Sequence, residues 1–359
     1  SSNTISACVI TGSSSALNLI GAAYNTISQS TMTGTNTALL MTGSTGNVLT
    51  GNFLTGLGTF GAEIIAASEW NTISLSTITS SAAGFSGLYI SGSASNTIVS
   101  SYIQASTGAL VIESTGTAIT SSELVATSVL GNALVLSTGN VNLTVAGSTL
   151  RGGSSGRGLV MGVGNGGVVS IGSVTVTGAA RGLEISTQAA GCVLAVDSIT
   201  FRGLSAGATA IHFLGGTFVS TITLANFEDA SVGADVSGAA LGLASRITMA
   251  ANYGVRTGPA YENDPNGLVD WLGYETYPGC AVTSNVGLGK PYATITAGLA
   301  ALPPSLPGHA CVVISDGATY AEQVSVRNFT NNGSSITIFA DPASGLRPTV
   351  SPTLSSTAA

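Results

Sequence analysis

Apolar residues recur at fixed places in a repeat of 21 to 26 residues along the first part of the chain. Asn-Thr-Ile marks the repeat, as in SSNTIS at residue 1, YNTIS at 24, WNTIS at 70 and SNTIV at 95. Two positions after the Asn slot stand Ile5, Ile27, Leu49, Ile73, Ile98, Ile119, Val145, Ile171, Val196 and Ile222. Seven positions after it stand Ile10, Met32, Leu54, Ile78, Ile103, Leu124, Leu150, Val176, Phe201 and Phe227. Ten repeats therefore keep one register.

Within each repeat, apolar residues alternate with small polar ones, which is the period of a half-buried β-strand. A third segment follows with the pattern small, apolar, any, apolar, as in ALLM at 38 and GLVM at 158. Strands of successive repeats must then lie parallel and stack about 4.8 Å apart. The pattern predicts an all-β parallel β-helix of ten or more coils with about three short strands per coil, and the crossover preference of parallel strands makes it right-handed.

The Asn slot holds asparagine in the first five repeats and other residues in the later ones. Stacked at one corner, these amides can hydrogen-bond along the axis and to turn backbone groups, so we expect an asparagine ladder that ends after the fifth coil. Its members are Asn3, Asn25, Asn47, Asn71 and Asn96. A slot between the two apolar ones predicts a second, inward column of small and mostly polar residues: Cys8, Ser30, Asn52, Ser76, Ser101 and Ser122.

The register fades after about residue 250. We divide the chain into a parallel β-helix at 1–250, an irregular linker at 251–286 and a C-terminal module at 287–359 that holds a cap helix and strands of a first-coil type. In this module, Ile295, Leu299 and Leu302 give one apolar face of a short helix that ends before the Pro303–Pro304 pair.

The four cysteines form no CxxC or Cys/His metal pattern, so no metal site is expected. Cys280 and Cys311 flank the start of the C-terminal module, and a bridge between them would close about 30 residues and contribute roughly 3 to 4 kcal/mol in an oxidising compartment. Two small buried thiols are the alternative.

Residues 287–350 resemble the opening of pectin-lyase-like right-handed β-helix proteins, a superfamily that includes the pectin methylesterases. The similarity rests on GKPYATITAGLAAL at 289 and ACVVISDGATYAEQVSV at 310. In that superfamily such a helix caps the barrel and such a strand segment forms the first coil, and the resemblance implies the same roles here. The repeats match the superfamily by pattern, in the manner of its large secreted bacterial repeat proteins.

This cap lies on the C-terminal side, whereas SSNTIS at residue 1 stands in the middle of the repeat pattern. A solenoid end exposes unpaired strand edges and an open core, which natural proteins cover. We therefore expect the tail of one unit to cover the first coil of the next. The units would be copies of the chain joined head to tail, or adjacent modules of one long polypeptide.

Charged residues are sparse, at 9 Lys and Arg against 16 Asp and Glu in 359 residues, with a formal net charge of −7. The single lysine, Lys290, leaves no basic stripe for nucleic acid or an anionic membrane surface. Polar residues interrupt every apolar run well short of the roughly 18 residues of a membrane span. Neither a nucleic-acid partner nor a membrane span is expected.

No group of residues indicates catalysis or a cofactor. Residues 1–150 contain four glutamates and no Lys or Arg, too little for the acid and base of a lyase or glycosidase. The segment that resembles the methylesterases carries none of that family's catalytic positions. Glu184 and His212 share one outward slot on adjacent coils, either as an acid–base pair or as an exposed ion pair worth under about 1 kcal/mol; we favour the ion pair.

The sequence thus favours a structural, self-assembling β-solenoid, extracellular or on a cell surface. The alternative is a β-helix that binds or processes polysaccharides, with surface glycans as partners. That alternative predicts a strip of aromatic or carboxylate side chains along one face.

Overall fold

A computed structural model describes residues 2–217, 219–228, 230–238, 240–243, 245–250, 262–272, 280, 282–306, 309–330, 333–341 and 346–351. Three long parallel sheets dominate it, with 12, 10 and 11 strands. Successive strands of the chain enter the three sheets in turn, so the chain winds as a parallel β-helix. The predicted all-β fold of ten or more coils with three strands per coil is confirmed.

Sheet 1 contains Thr4–Ser6, Thr26–Ser28, Val48–Thr50, Thr72–Ser74, Thr97–Val99, Ala118–Thr120, Val141–Ala146, Gly166–Gly172, Val193–Asp197, Val219–Thr223, Arg246–Ala250 and Val269–Leu272. Sheet 2 contains Val9–Gly12, Thr31–Gly34, Phe53–Gly56, Thr77–Ser80, Tyr102–Ala105, Glu123–Ala126, Thr149–Arg151, Thr175–Thr177, Thr200–Phe201 and Asn226–Phe227. Sheet 3 contains Leu17–Ile20, Leu39–Thr42, Ala62–Ile65, Ser86–Ser91, Thr107–Ile112, Leu134–Leu136, Arg157–Met161, Arg181–Ile185, Thr209–Phe213, Val232–Asp235 and Glu262–Asn263. A small extra pair joins Gly215–Gly216 to Ala240–Leu241.

Both predicted apolar stacks are in register. In the first stack, every predicted member pairs with the next one, from Ile5 with Ile27 to Val196 with Ile222. The second stack, in sheet 2, is equally regular. The inward side chains of the interior coils form one continuous buried core. Stacking like on like therefore supplies the hydrophobic burial that holds the coils together.

The corner between sheets 1 and 2 has a left-handed backbone in ten successive coils. The residues with positive φ there are Ala7, Gln29, Gly51, Leu75, Ser100, Ser121, Gly147, Ser173, Ser198 and Leu224. Leu75 has a φ of 48°, although residues with a Cβ atom rarely adopt this region. The paired strands on both sides of the corner hold this conformation, whichever side chain stands there.

Parallel pairing continues beyond residue 250, where the sequence predicts an irregular linker at 251–286. Val269–Leu272 pairs with Arg246–Ala250 in sheet 1, and Glu262–Asn263 pairs with Val232–Asp235 in sheet 3. These strands are short and lie among turn residues, so their sequence carries little of the alternation that marks the earlier coils. Residues 251–261, 273–279 and 281 of the predicted linker lie outside the described residues.

The C-terminal module has a core of its own. Val282–Val286, Ala310–Ile314 and Ile336–Ala340 form a parallel three-stranded sheet, and Thr319–Tyr320 pairs with Thr349–Val350. The predicted cap helix is present as Ile295–Ala300. Its buried residues include Ile295 and Leu299, and Leu302 just beyond it is 4 % exposed, as the predicted apolar face requires.

Side chains fix the N-terminus of this helix. The Thr294 hydroxyl accepts a hydrogen bond from the Ala297 N–H at 3.1 Å, and the Glu322 carboxylate accepts from the N–H groups of Ile295 at 2.7 Å and Thr296 at 2.9 Å. Partial burial opposes ionisation of Glu322, but the hydrogen bonds from Thr296 and Ile295 outweigh it and lower the pKa of this carboxyl. Among the described residues, no helix is long and apolar enough to cross a membrane.

Candidate functional site

The five predicted asparagines form one continuous ladder at the corner before sheet 1. In each step, the backbone N–H and the side-chain Nδ2 of one Asn both donate to Oδ1 of the next. The backbone bonds are 3.0 Å in all four steps, and the side-chain bonds run from 2.8 to 3.1 Å, linking Asn3, Asn25, Asn47, Asn71 and Asn96 in order. Asn47 and Asn96 are fully buried. The ladder thus satisfies polar groups that would otherwise be buried without partners.

Every step of the ladder has the same direction, because each Asn donates toward higher residue numbers. Asn3 is exposed at the start, and among the described residues no donor reaches its Oδ1. At the other end, Asn96 donates through Nδ2 to the Ser68 carbonyl at 2.8 Å. Thr117 occupies the next slot, and its buried hydroxyl has no hydrogen-bond partner in the described part of the chain.

The second column, predicted from the small residues between the two apolar stacks, is also held by hydrogen bonds between successive coils. The backbone N–H of each member donates to the side-chain oxygen of the member above it, at 2.9 to 3.2 Å, from Cys8 through to Ser122 and on to Ser148. The following coils place Val174, Ile199 and Ala225 at this corner, all buried. The chain therefore changes from a polar to an apolar column after Ser148.

A third polar column was missed by the sequence reasoning. The Ala22 N–H donates to Ser44 Oγ at 3.2 Å, and the Ser44 N–H donates to Ser68 Oγ at 3.1 Å. Farther along, the Ser114 N–H donates to Asn140 Oδ1 at 3.0 Å, and Asn140 Nδ2 donates to Asn165 Oδ1 at 2.9 Å. The signal was available, because Ser44, Ser68, Ser93, Ser114 and Asn140 all lie three residues before the ladder slot.

Glu184 and His212 are register partners on adjacent strands of sheet 3, as the slot alignment predicts. Their predicted exposure is wrong: Glu184 is 5 % exposed and His212 is 8 % exposed. Two arginines cover the carboxylate, with Arg157 Nε 3.0 Å from Oε1 and Arg181 Nη1 bonded to Oε2. The arrangement is therefore a largely desolvated ion cluster and not a surface pair.

His212 lies between two carboxylates. Its Nδ1 is 3.7 Å from Glu184 Oε2, and its Nε2 is 3.8 Å from Asp235 Oδ2, both longer than hydrogen bonds. Asp235 accepts through Oδ1 from the Ser237 hydroxyl at 2.7 Å and from Asn263 Nδ2 at 3.2 Å. The cluster thus spans four successive coils.

Burial by itself would raise the pKa of Glu184. His212, Arg181 and Arg157 outweigh that effect and lower the pKa to about 2. A carboxylate this firmly ionised is a weak proton donor and a weak base near neutral pH, because general acid–base catalysis is most efficient when the pKa lies near the working pH. The ion pairs with Arg157 and Arg181, together with the lowered pKa, therefore favour a structural role for Glu184 over acid–base catalysis.

Three aromatic rings meet on the outer side of sheet 3. Phe60 stacks on Tyr89 with ring centroids 4.6 Å apart and planes 9° apart, and Phe85 meets Phe60 edge-on at 5.4 Å. Glu63, the register partner of Tyr89, lies beside them, and burial raises the pKa of its carboxyl. We call Phe60, Phe85, Tyr89 and Glu63 the aromatic cluster.

Cys280 and Cys311 form a disulfide, with Cα atoms 5.7 Å apart. Cys311 is fully buried on the central strand of the C-terminal sheet, and Cys280 lies just before the strand Val282–Val286. The bridge therefore closes the segment that contains the cap helix. Cys8 and Cys192 are free.

Residues 1–150 match the family described as "Right handed beta helix region". The match agrees with the right-handed parallel β-helix that the sequence predicts. No curated protein sequence matches the chain.

Two solved structures are similar in outline. The tailspike protein gp49 from Pseudomonas phage LKA1 has 10 % identity over 67 % of this chain and 52 % of its own, with a TM-score of 0.36. PfbA, a surface adhesin of Streptococcus pneumoniae, has 8 % identity over 92 % of this chain and 84 % of its own, with a TM-score of 0.29. The chain spans about half the length of the tailspike protein. Likenesses at this level carry no inference about function.

Proposed function

We propose that the chain is a structural β-solenoid unit that assembles end to end outside the cell. In this assembly, strands of a neighbouring unit stack on the first coil of the chain. The observation that carries this proposal is the incomplete burial of the first coil's inward side chains. Ile5 and Ile10 are partly exposed, whereas their partners Ile27 and Met32 in the next coil are fully buried. A covering coil would remove this apolar surface from water at roughly 25 cal/mol per Å².

The first coil also presents backbone groups that can pair. The Asn3 carbonyl accepts from the Thr26 N–H, and the Ala7 N–H donates to the Ser28 carbonyl, so both groups face the second coil. Backbone groups alternate in direction along a strand, and those of Thr4 and Ser6 therefore face the opposite, open side. Such an edge is a template for a further strand.

The tail offers a matching edge. Among the described strands, Ile336–Ala340 is the outermost strand of the C-terminal sheet, with Ala310–Ile314 on its other side. A tail strand followed by a first coil keeps chain order, so the parallel pairing can continue from one unit into the next. We propose a second copy of the chain as the partner. Because this contact joins different surfaces of the two copies, it repeats into filaments unless it closes into a ring.

The Cys280–Cys311 disulfide supports the extracellular part of the proposal, because such bridges persist in oxidising compartments. The sparse charge suits a stacked rod, in which like side chains from successive coils lie about 4.8 Å apart. If the chain is a module of a longer polypeptide, the neighbouring module would cover the first coil in the same way.

The test is electron microscopy and sedimentation of the full chain over a range of concentrations. We expect rods that lengthen with concentration. Ser6→Pro removes an N–H on the open side of the first strand and should abolish assembly, whereas Ser6→Ala, which keeps that N–H, should assemble normally. A chain that stays monomeric, or a Ser6→Pro variant that assembles like the wild type, overturns the proposed contact.

The second candidate function is polysaccharide binding at the aromatic cluster, because three aromatic rings meet there outside the core. Phe85 is 38 % exposed at its rim, and aromatic rings with a polar neighbour suit the faces of sugar rings. Retention on immobilised glycans, polygalacturonate among them, tests this candidate. Phe85→Ala should weaken binding, and Tyr24→Ala, at an exposed aromatic outside the cluster, should leave it unchanged. Retention on none of the glycans removes this candidate.

A further inference from the structure

One group of metal-ligand side chains stands out in the part of the chain that the structure describes. The sulfur atoms of Cys280 and Cys311 and a ring nitrogen of His309 all lie within 4.8 Å of one another. Two sulfurs and one imidazole are the donor set of many zinc sites. Their spacing along the chain resembles no common zinc motif, so sequence reasoning predicted no metal here.

The three ligands lie on or next to paired strands of the C-terminal module. Cys311 lies on the central strand, where its register partners are Thr283 and Thr337. His309 lies two residues earlier, just before that strand begins, and Cys280 lies two residues before the strand Val282–Val286. Because side chains on or beside paired strands move little, the three ligands stay close together when the bond between the two sulfurs is broken.

Hydroxyl groups orient the imidazole. His309 Nδ1 is 2.6 Å from Ser335 Oγ, and Nε2 is 3.1 Å from Thr337 Oγ1. One ring nitrogen can therefore bind a metal while the other keeps its hydroxyl partner, which is the usual arrangement of a ligating histidine. Cys280 and His309 are half-buried, so solvent reaches these two ligands and a water molecule can serve as the fourth ligand.

We propose that Cys280, Cys311 and His309 bind a divalent metal ion of the zinc class when the disulfide is reduced. A dithiol reductant supplies two electrons and two protons, the S–S bond breaks, two thiols form and the reductant becomes its own disulfide. Metal binding then displaces both thiol protons, forming two thiolate–metal bonds and one imidazole–metal bond.

The same two sulfurs thus cross-link the C-terminal module in two different redox environments. A disulfide joins them where the medium is oxidising, and a metal ion joins them where thiols keep cysteines reduced. In both states the fastened segment contains the helix Ile295–Ala300, which packs in the core of the module. This proposal does not depend on end-to-end assembly.

The test uses the full chain with Cys8→Ser and Cys192→Ser, which leaves the two thiols of the site. The protein is reduced with a phosphine, freed of reductant and titrated with Co²⁺ without oxygen, and Zn²⁺ is then added as competitor. We expect one Co²⁺ per reduced chain, with thiolate-to-cobalt charge-transfer absorption that Zn²⁺ abolishes. The oxidised protein should show no such band.

The two histidines of the chain supply a matched pair of variants. His309→Gln should weaken Co²⁺ binding at least about tenfold, whereas His212→Gln, in the distant ion cluster, should leave it unchanged. Zn²⁺ should also raise the unfolding midpoint of the reduced protein, because the site is assembled in the folded state. Absence of the band in the reduced protein, an equal band in the oxidised protein, or full affinity in His309→Gln would each overturn the proposal.

Discussion

The side-chain amide of Asn47 donates to Oδ1 of Asn71 at 2.9 Å, and the same oxygen accepts the backbone N–H of Asn47 at 3.0 Å. One side-chain oxygen thus satisfies two buried donors of the coil below. Because the first five coils repeat this contact, loss of an asparagine inside the ladder removes a partner from the asparagine on either side.

Asn47→Ala should destabilise the N-terminal coils by about 2 kcal/mol, because the buried N–H of Asn25 loses its acceptor and Asn25 Nδ2 keeps only the Ala23 carbonyl at 3.3 Å. Urea unfolding measures the loss, and amide hydrogen exchange should place it in the coils next to Asn47. Asn36→Ala, at an exposed asparagine, is the control and should change stability little. Equal effects in the two variants would show that the ladder contributes nothing specific.

Thr117→Asn should stabilise the solenoid by about 0.5 to 1.5 kcal/mol. The Oδ1 of the introduced side chain would lie where Asn96 can donate to it. The substitution would also remove the buried threonine hydroxyl that has no partner among the described residues. Thr117→Val removes the same hydroxyl and adds no acceptor, so it should stabilise less than the asparagine does. A valine variant as stable as the asparagine variant would mean that the ladder does not extend past the fifth coil.

The ion cluster predicts an acid-sensitive contribution to stability. The pKa of Glu184 is about 2 in the folded chain against an ordinary value of 4.5, so the unfolded state binds more protons across this window. The stability from this group is complete above about pH 4.5 and is lost as the pH falls through about 2. Its size is on the order of 3 kcal/mol.

Urea unfolding of the wild type and of Glu184→Gln over that pH range tests this prediction. The wild type should lose its advantage over Glu184→Gln as the pH falls, whereas near neutral pH the variant should be less stable because Arg157 and Arg181 have lost their partner. A difference between the two proteins that stays constant with pH would contradict the lowered pKa.

Reduction of the Cys280–Cys311 bridge without metal should destabilise the C-terminal module by roughly 3 to 4 kcal/mol and leave the solenoid unchanged. The loop that the bridge closes has a sequence separation of 31, and the module packs around a core separate from that of the solenoid. Hydrogen exchange of residues 282–341 and 26–150, followed in the same sample, separates the two regions. Equal acceleration in both would show that they unfold as one unit.

Sequence reasoning found both apolar stacks, two of the three polar columns and the single helix, and it missed contacts that depend on the three-dimensional winding of the chain. Ile27 and Asn47 stand in slots that recur in every coil, so alignment alone gave their stacks and their partners. The cover over Glu184 comes from Arg157 and Arg181, and no other coil in the described part of the chain repeats that arrangement, so its burial could not be found by counting slots. The fold of the C-terminal module brings His309 next to Cys280, and the number of residues between them matches no repeat in the sequence.

The corner between sheets 1 and 2 is a second feature that could not be predicted from the sequence. Leu75 and Gln29 adopt a left-handed backbone that their residue types disfavour, and the stacked strands on either side impose it. Local preference gives no sign of this turn, because it results from pairing between coils.

The one-way direction of the asparagine ladder gives the first five coils a polarity along the axis. The Oδ1 acceptor of Asn3 lies at one end of the ladder, and the donors point away from it through every step up to Asn96. A fibre of such units would therefore have a polarity and could grow at different rates from its two ends. A short fragment that mimics one tip would then stop growth at one end and leave the other end free.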